Sequence, residues 1–193
     1  MKFVVHTTET APPASREDLE TAEKLFGFIP NLLGVLAAAP IALEAYIILT
    51  KLLEDASLSP VEQQVVMLAG SHENGCGYCM AAHSTVAVAA GMPALVLAAL
   101  RGGTVLHDKK LEALRSFVIE VVRSRGRVSD ERLEEFLAAG YSAQSVLEVV
   151  FGVAMKTLSN YVNHMAETPV DRQFSRQMWG GVYPDPQQVV TVP

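Results

Sequence analysis

The sequence has few cysteines and few charged side chains, and it lacks the common phosphate-binding loops. Only two of its 193 residues are cysteine, and Asp, Glu, Lys and Arg together make up 19% of the chain. The net charge of −6 argues against nucleic-acid binding, which depends on clustered Lys and Arg. No strand-like alternation, P-loop, dinucleotide-binding glycine motif or serine-nucleophile motif is present. The usual nucleotide-dependent and serine-dependent enzyme classes are therefore excluded.

Apolar residues, by contrast, make up 50% of the chain, and the mean hydropathy is +0.24. A protein this apolar is expected to bury surface between subunits, so we predict a homo-oligomer. Residues 80–100 contain no Asp, Glu, Lys or Arg and are long enough to span a membrane. Because Gly91-Met92-Pro93 interrupts them, we interpret this stretch as a buried core helix followed by a short helix, and we predict no membrane association.

Hydrophobic spacing and capping residues predict helices throughout, and hence an all-α fold. We expect a single domain over residues 1–193, with an extended N-terminal arm at 1–14 and an irregular C-terminal arm at 170–193. Phe174, Trp179 and Tyr183 favour a C-terminal arm that packs against a neighbouring surface over a disordered one. The predicted helices cover residues 15–26, 28–38, 40–55, 60–73, 76–90, 94–101, 109–124, 130–139 and 142–167.

The two cysteines, Cys76 and Cys79, form a C-x-x-C pair, and His83 follows the second thiol by four residues. If Gly75 ends one helix and the next starts at Cys76, the three side chains fall within an arc of about 60° on one helical face. This spacing predicts two thiols and a base on one stripe.

A thiol becomes a good nucleophile only when it is ionised, which near neutral pH requires a helix N-terminus, a cation or a base. The unpaired N–H groups of a first helical turn favour Cys76, whereas a proton acceptor four residues on favours Cys79. We weight the specific base, His83, above the diffuse dipole. The prediction is that Cys79 attacks and that Cys76 resolves the product as a reversible disulfide.

Two other interpretations of the pair stay open at this point. The cysteines can be small buried hydrophobes without chemistry. A metal site would need a fourth ligand beside Cys76, Cys79 and His83, and His72 is the nearest candidate. Because zinc sites of this type usually show a second cysteine pair, which is missing here, we predict no metal and no cofactor.

The thiol pair belongs to a longer pattern. It comprises LSPVEQQVV at residues 58–66, ENGCGYC at 73–79 and AAH at 81–83. In this pattern the chain resembles the AhpD-like alkylhydroperoxidases of the carboxymuconolactone decarboxylase superfamily, especially the branch of peroxidase-related proteins. The resemblance implies an AhpD-like helical bundle with the C-x-x-C helix at its core, assembled as a dimer, trimer or hexamer.

The resemblance also implies roles for individual residues. The peroxidatic cysteine of the family corresponds to Cys79, the resolving cysteine to Cys76, and the histidine after the pair to His83. A relay glutamate twelve residues before the first cysteine corresponds to Gln64, and an amide cannot act as a general base. The best-known members also have a histidine where this chain has Tyr78. The nucleophile therefore matches the family, while two relay positions differ.

Glu73 is the one nearby carboxylate that matches an acidic position of this branch. We hypothesise that Gln64 orients water or His83 while Glu73 supplies the missing charge. The resemblance further places a polar segment around Asn163 and His164 near the thiols, although a purely structural role is favoured for His164.

The leading functional prediction is a thiol-dependent peroxidase that reduces small or apolar hydroperoxides. A dithiol partner of the lipoamide or thioredoxin type would then reduce the Cys76–Cys79 disulfide. The alternatives are a thiol-disulfide oxidoreductase or redox partner with little peroxidase activity, and a non-redox decarboxylase-like protein or binding scaffold. The first residues lack the apolar run of a signal peptide, and with a redox-active pair this predicts a cytoplasmic protein.

Overall fold

The computed structural model describes residues 3–180, and all regular structure within this range is helical. The all-α prediction is confirmed. Two short 3-10 turns, Pro13–Ser15 and Arg172–Gln177, flank the α-helices near the two ends of the described range. The α-helices are α1 (Arg16–Phe26), α2 (Asn31–Leu36), α3 (Pro40–Glu54), α4 (Pro60–Glu73), α5 (Gly77–Ala89), α6 (Ala94–Gly102), α7 (Lys109–Ser124), α8 (Asp130–Ala138) and α9 (Ala143–Ala166).

Side-chain caps fix several helix starts at the residues that the sequence indicates. Ser59 begins α4 in a complete capping box with Glu62. The hydroxyls of Ser129 and Ser142 accept the first free N–H groups of α8 and α9 in the same way. Ser15 differs, because its hydroxyl donates to the carbonyl of Ala37, at 2.8 Å. Ser15 therefore ties α1 to the end of α2 instead of capping its own helix.

Helix α4 lies at the centre of the bundle and packs against α5, α7 and α9. Its residues 63–71 are all buried, which explains why this segment has no clear polar face. Helix α9 approaches α4 most closely at Gly152, where a Cβ atom would stand 2.8 Å from Cγ1 of Val66. The glycine is thus required by the close contact of two helices and not by backbone conformation.

The two terminal segments pack against the same chain. Near the N-terminus, the N–H of His6 donates to the carbonyl of Gly34 at 3.0 Å. At the other end, Asp171 accepts hydrogen bonds from the N–H of Asn31 at 3.0 Å and from the hydroxyl of Tyr78 at 2.5 Å. The C-terminal arm predicted from residue 170 therefore begins as an anchored 3-10 turn. The part of that prediction that concerns Tyr183 lies outside the described residues.

One side of α9 remains apolar and exposed. Leu147 and Met165 are 70% and 71% exposed, and Val150, Ala154 and Tyr161 lie between them on the same side. In α3, hydrophobic spacing predicts Leu43 and Leu52 among the core residues. Leu43 is fully buried, but Leu52 is exposed, so the prediction is wrong for Leu52. Between residues 3 and 180, no single helix is long and apolar enough to cross a membrane; α8 and α9 pass only as a pair bent by 114°.

Two glycines of the α4–α9 contact allow a matched test of this packing. In Gly152→Ala the new methyl group would push the side chains of Val66 and Met67 away from α9, so the free energy of unfolding should fall by about 1–3 kcal/mol. In Gly70→Ala the nearest atom is 3.7 Å away, so the better helix propensity of alanine should leave stability equal or higher by up to about 1 kcal/mol. Urea denaturation measures both values, and equal effects would contradict the close approach at Gly152.

Candidate active site

The turn between α4 and α5 positions the two thiols. Gly75 has a left-handed φ of 68°, as a helix-ending glycine requires. The N–H of Cys76 donates to the carbonyl of Ser71 at 2.9 Å, and the N–H of Gly75 to that of His72 at 3.0 Å. These two bonds form a Schellman motif. The helix break predicted at Gly75 is present, and it fixes the backbone of Cys76 before the next helix starts.

Cys76 is the N-cap of α5, and Cys79 is the third residue of that helix. The expectation that both thiols lie in the first turn is therefore wrong for Cys76, because the Schellman motif holds its backbone in an extended conformation. Both cysteines are free and only 1% exposed. Both thiols are therefore enclosed by protein atoms.

Helix α9 supplies the polar groups that face the sulfur atoms. The side-chain amide of Asn163 donates to Sγ of Cys79 at 3.2 Å and lies 3.9 Å from Sγ of Cys76. The hydroxyl of Ser159 is 3.9 Å from Sγ of Cys79. Asn163 is therefore the closest hydrogen-bond donor to the Cys79 sulfur, and its own carbonyl oxygen is buried without a hydrogen-bond partner.

His83 contacts two groups other than the thiols. Its Nδ1 lies 3.0 Å from Oε1 of Gln64, and its Nε2 lies 2.6 Å from Nζ of Lys156. An amide oxygen can only accept and an ammonium can only donate, so we assign the ring proton to Nδ1 and the lone pair to Nε2. Neither ring nitrogen of His83 is hydrogen-bonded to Cys79, since one is bonded to Gln64 and the other to Lys156.

The surroundings of the two thiols have opposite effects on their ionisation. Burial alone would raise the pKa of Cys79, but hydrogen bonds from Cys76, Ser159 and Asn163 and the charge of Lys156 together lower it to about 5. The hydrogen bond to Cys79, together with burial, raises the pKa of Cys76 far above its ordinary value. Near neutral pH the site therefore contains the thiolate of Cys79 beside the thiol of Cys76.

The neighbouring bases are shifted in a complementary way. Burial, followed by the positive charge of Lys156, lowers the pKa of His83 well below its ordinary value, so the imidazole is neutral at pH 7. Burial also acts to lower the pKa of Lys156, but Tyr46 and the two cysteines raise it by a larger amount. The positive charge beside the thiolate thus resides on Lys156 and not on His83.

Glu73 lies away from the thiols. Its carboxylate accepts two hydrogen bonds from Arg123, at 2.6 and 3.0 Å, across the contact between α4 and α7. The carboxylate is paired there because Glu73 ends α4 before the Gly75 turn reverses the chain. The hypothesis that Glu73 supplies charge to the thiols is not supported by this placement. Gln64 is the member of the hypothesis that does contact His83.

The metal interpretation finds no support in the described residues. Between residues 3 and 180, no three His, Cys, Asp or Glu side chains gather in a way that could hold a metal ion. His72, the candidate fourth ligand, packs edge-on against Trp179 with ring centres 5.4 Å apart.

A cavity of about 670 Å³ adjoins the site. Most of its lining is apolar, with Phe28, Leu33 and Met155 among its walls, and Gln64 and His83 form part of its polar lining. Neither Cys76 nor Cys79 lines it. The Gln64–His83 pair therefore stands between an apolar chamber and the buried charge of Lys156.

Sequence reasoning missed Lys156 and found only half of the polar segment on α9. Asn163 contacts the thiols as the resemblance implies, whereas His164 is exposed. A signal for Lys156 was present, because it is the only charged residue between Glu148 and Glu167 in an otherwise apolar helix. A lone lysine on such a helix is rarely buried without a functional or structural partner.

The family model for carboxymuconolactone decarboxylases matches residues 36–115, which include both thiols, Gln64 and His83. The match covers α3 to α6 and the first part of α7. Helix α9, with Lys156 and Asn163, lies outside the superfamily match. No curated protein matches the chain.

Solved structures show that the chain has an AhpD-like fold. A peroxidase-related protein with an alkylhydroperoxidase AhpD core from Ralstonia eutropha JMP134 superposes with a TM-score of 0.78 at 20% identity, covering 90% of this chain and 93% of its own. A peroxidase-related protein from Silicibacter sp. TM1040 gives 0.77 at 16% identity, covering 92% and 94%. The debrominase Bmp8, solved with 2,3,4-tribromopyrrole, gives 0.72 at 17% identity, covering 86% and 89%.

The ionisation of Cys79 can be tested through Asn163. Because the pKa of Cys79 is lowered to about 5, its alkylation rate by iodoacetamide should rise between pH 4 and 6 and then stay level to pH 9. In Asn163→Leu the loss of a hydrogen bond to the thiolate should raise the pKa of Cys79 by about 1 unit, corresponding to about 1.4 kcal/mol.

The matched control for this test is Asn160→Leu. Asn160 is another buried asparagine of α9, but it bonds Asn74 and Ser71 and not the sulfur atoms. This variant should lose stability without shifting the alkylation profile. If the two variants shift the profile equally, the hydrogen bond from Asn163 does not control the ionisation of Cys79.

Proposed function

We propose that the protein is a thiol-dependent peroxidase that reduces hydroperoxides through a dithiol-disulfide cycle of Cys79 and Cys76. The observation that carries this proposal is the contrast between two adjacent thiols: their surroundings lower the pKa of Cys79 and raise that of Cys76. A peroxide-reducing pair needs this asymmetry, because one sulfur must attack as a thiolate while the other keeps its proton for the second step.

The cycle has two steps. The thiolate of Cys79 attacks one oxygen of the hydroperoxide, the O–O bond breaks, and a sulfenic acid forms while the leaving oxygen takes up a proton to become an alcohol or water. The thiol of Cys76 then condenses with the sulfenic acid, which releases water and closes the disulfide. Asn163 contacts both sulfur atoms, at 3.2 and 3.9 Å, which supports Cys76 as the resolving thiol.

An external dithiol must complete the cycle, because the sequence contains no third cysteine. A reductant of the thioredoxin or lipoamide type supplies two thiols and can exchange with the Cys76–Cys79 disulfide. Such a cycle suits a reducing compartment such as the cytoplasm.

The apolar cavity supports hydroperoxides with an organic group as substrates. Its walls would hold an alkyl or aryl group, while the hydroperoxide would face Gln64 and His83. The exposed apolar side of α9 further supports a homo-oligomer, in which a second copy of the chain covers Leu147 and Met165. Sedimentation equilibrium of the reduced protein tests that assembly.

The peroxidase proposal predicts a specific pattern in single-turnover mixing. Reduced protein mixed with hydrogen peroxide or cumene hydroperoxide should lose two thiols and form one disulfide, with the organic peroxide reacting faster. Cys79→Ser should abolish thiol loss because the nucleophile is gone, whereas Cys76→Ser should stop at a sulfenic acid on Cys79 that dimedone traps. Mass spectrometry of the alkylated protein measures each product.

Two results would contradict this proposal. Fast oxidation of Cys76 in Cys79→Ser would exchange the roles of the two cysteines. Thiols that resist both peroxides but exchange with reduced lipoamide would instead assign the protein as a thiol-disulfide oxidoreductase.

A second candidate function is reductive removal of a halogen from an aromatic compound. The structural similarity to the debrominase Bmp8 and the large apolar cavity beside the site favour it. In this reaction the thiolate of Cys79 and the thiol of Cys76 would together supply two electrons and one proton to the ring, and bromide would leave as the disulfide forms.

Bromide release tests this candidate. Reduced protein incubated with 2,3,4-tribromopyrrole should release one bromide per disulfide formed, measured by ion chromatography, and Cys79→Ser should release none. If wild-type protein releases no bromide while it consumes hydroperoxide, the halogen activity is wrong and the peroxidase proposal stands.

A further inference from the structure

Lys156 places an ammonium group in the interior of the bundle. The residue is only 1% exposed, and its Nζ donates to Nε2 of His83 at 2.6 Å. None of the ion pairs within residues 3–180 gives it a carboxylate partner. A buried charge without a counter-charge is strongly unfavourable. The anion that balances Lys156 must therefore be found among the groups that face it.

The titratable groups that face Lys156 come from two helices. Helix α3 contributes Tyr46, whose ring centre is 6.0 Å from Nζ and whose side chain also forms a hydrogen bond with Lys156; an aromatic ring face stabilises a cation. Helix α5 contributes His83, which is bonded to Lys156 as a neutral base, and the two thiols Cys76 and Cys79. Of these groups only the thiolate of Cys79 is an anion near neutral pH.

The packing of α5 against α9 explains how the two charges come together. The two helices run antiparallel at this contact, because Cys79 meets Ser159 and Asn163 whereas His83, one turn later, meets Lys156. Lys156 is one turn before Ser159 on α9, so its ammonium lies on the same face as the groups that bond Cys79. The register of α5 against α9 therefore brings Lys156 and Cys79 to the same side of the contact.

We propose that Lys156 is the proton donor of the reaction, and that oxidation of Cys79 converts Lys156 from a buried ammonium into a neutral amine. The inference rests on the proposed thiol chemistry of Cys79 and adds the source of the proton. Before the reaction the thiolate and the ammonium balance each other. After the disulfide forms, the thiolate no longer exists, and a charged Lys156 would be left unbalanced in the core.

The proton path follows the hydrogen bonds of His83. When the O–O bond of the hydroperoxide breaks, the leaving oxygen takes the Nδ1 proton that His83 otherwise donates to Gln64, on the cavity side. Lys156 passes a proton to Nε2 in the same step and becomes neutral. Cys76 then loses its own proton as water leaves the sulfenic acid. Overall, the thiolate, the thiol, the ammonium group and the hydroperoxide are converted into the disulfide, the amine, an alcohol and water. No proton is exchanged with the solvent.

Three other polar side chains near the turn are unsuited to supply this proton. Gln64 and Asn163 are amides without a titratable proton. Glu73 is paired with Arg123 on the opposite side of the turn. Lys156 is thus the group that replaces the relay carboxylate which the chain lacks at Gln64.

Proton stoichiometry tests the proposal without using peroxide. Diamide oxidises two thiols to a disulfide and takes up two protons as it is reduced. At pH 7 in weak buffer with a pH indicator, wild-type protein should take up no proton from solvent per disulfide formed, because Cys76 and Lys156 supply one each. Uptake of one proton per disulfide would mean that Lys156 keeps its charge, and the proposal would be wrong.

Two substitutions of Lys156 complete the test. In Lys156→Arg the guanidinium keeps its charge at pH 7, so the thiolate should persist and one proton should be taken up per disulfide. In Lys156→Met the thiolate absorbance at 240 nm should disappear at pH 7. Alkylation of Cys79 should slow about 30-fold, because a thiol with the ordinary pKa of about 8.5 is only about 3% ionised at this pH. A Lys156→Met variant that melts normally and keeps its thiolate at pH 7 would overturn the proposal.

A measurement on the unmodified chain covers the case in which Lys156→Arg does not fold. In protein labelled with 15N-lysine, one buried Nζ should give an ammonium resonance in the reduced form and an amine resonance after diamide oxidation; an ammonium in both forms would refute the proposal. Failure of the peroxidase function is distinguishable from this failure. It would show as inert thiols toward hydroperoxides with the diamide and NMR results unchanged.

Discussion

Lys156 brings a full positive charge into the interior of the bundle, where water cannot solvate it. Every contact of the candidate site can be understood from the need to balance that charge. Helix α3 presents the face of Tyr46, and helix α5 presents the lone pair of His83 and the sulfur of Cys79. The positive charge of Lys156 helps to lower the pKa of Cys79, and the two cysteines in turn help to raise the pKa of Lys156.

Such a pair works only if α5 and α9 stay in register, and a second polar layer holds them. The amide of Asn74, at the end of α4, donates to Asn160 at 2.9 Å, and Asn160 donates to Ser71 at 3.4 Å. These bonds connect the Schellman turn before Cys76 to α9 at Asn160, directly after Ser159 and one turn before Asn163. The position of the thiols relative to Lys156 is therefore fixed from both sides of the turn.

The sequence predicts most of the fold and the centre of the site, for local reasons. Capping serines, helix-ending glycines and hydrophobic spacing act over a few residues, so the bounds of α4 and α7 are predicted to the residue. The C-x-x-C pair and His83 are likewise on one helix, where spacing determines their relative positions. Leu52 fails because its burial depends on which side of α3 meets a partner helix, and no local pattern reports that.

The residues that sequence analysis misses are those whose partners are distant in the chain. Lys156 meets His83 across 73 residues, and Asp171 meets Tyr78 across 93. Glu73 shows the same limit from the other side: it is three residues from Cys76, yet it is paired with Arg123, which is 50 residues away. Glu73 is a candidate from the sequence because it is close to Cys76 along the chain. The reversal of the chain at Gly75 places its carboxylate away from the thiols.

The anchored segment after α9 has a practical consequence. Trp179 is the only tryptophan in the sequence. Its indole N–H donates to the carbonyl of Arg101 at 2.8 Å, and its ring packs against His72. The backbone carbonyl of Trp179 lies 3.9 Å from where a Cβ atom on Gly77 would be. Gly77 is the first residue of the thiol helix, immediately after Cys76. All indole emission from this protein therefore originates beside the turn that carries Cys76, so tryptophan fluorescence reports directly on changes at this turn.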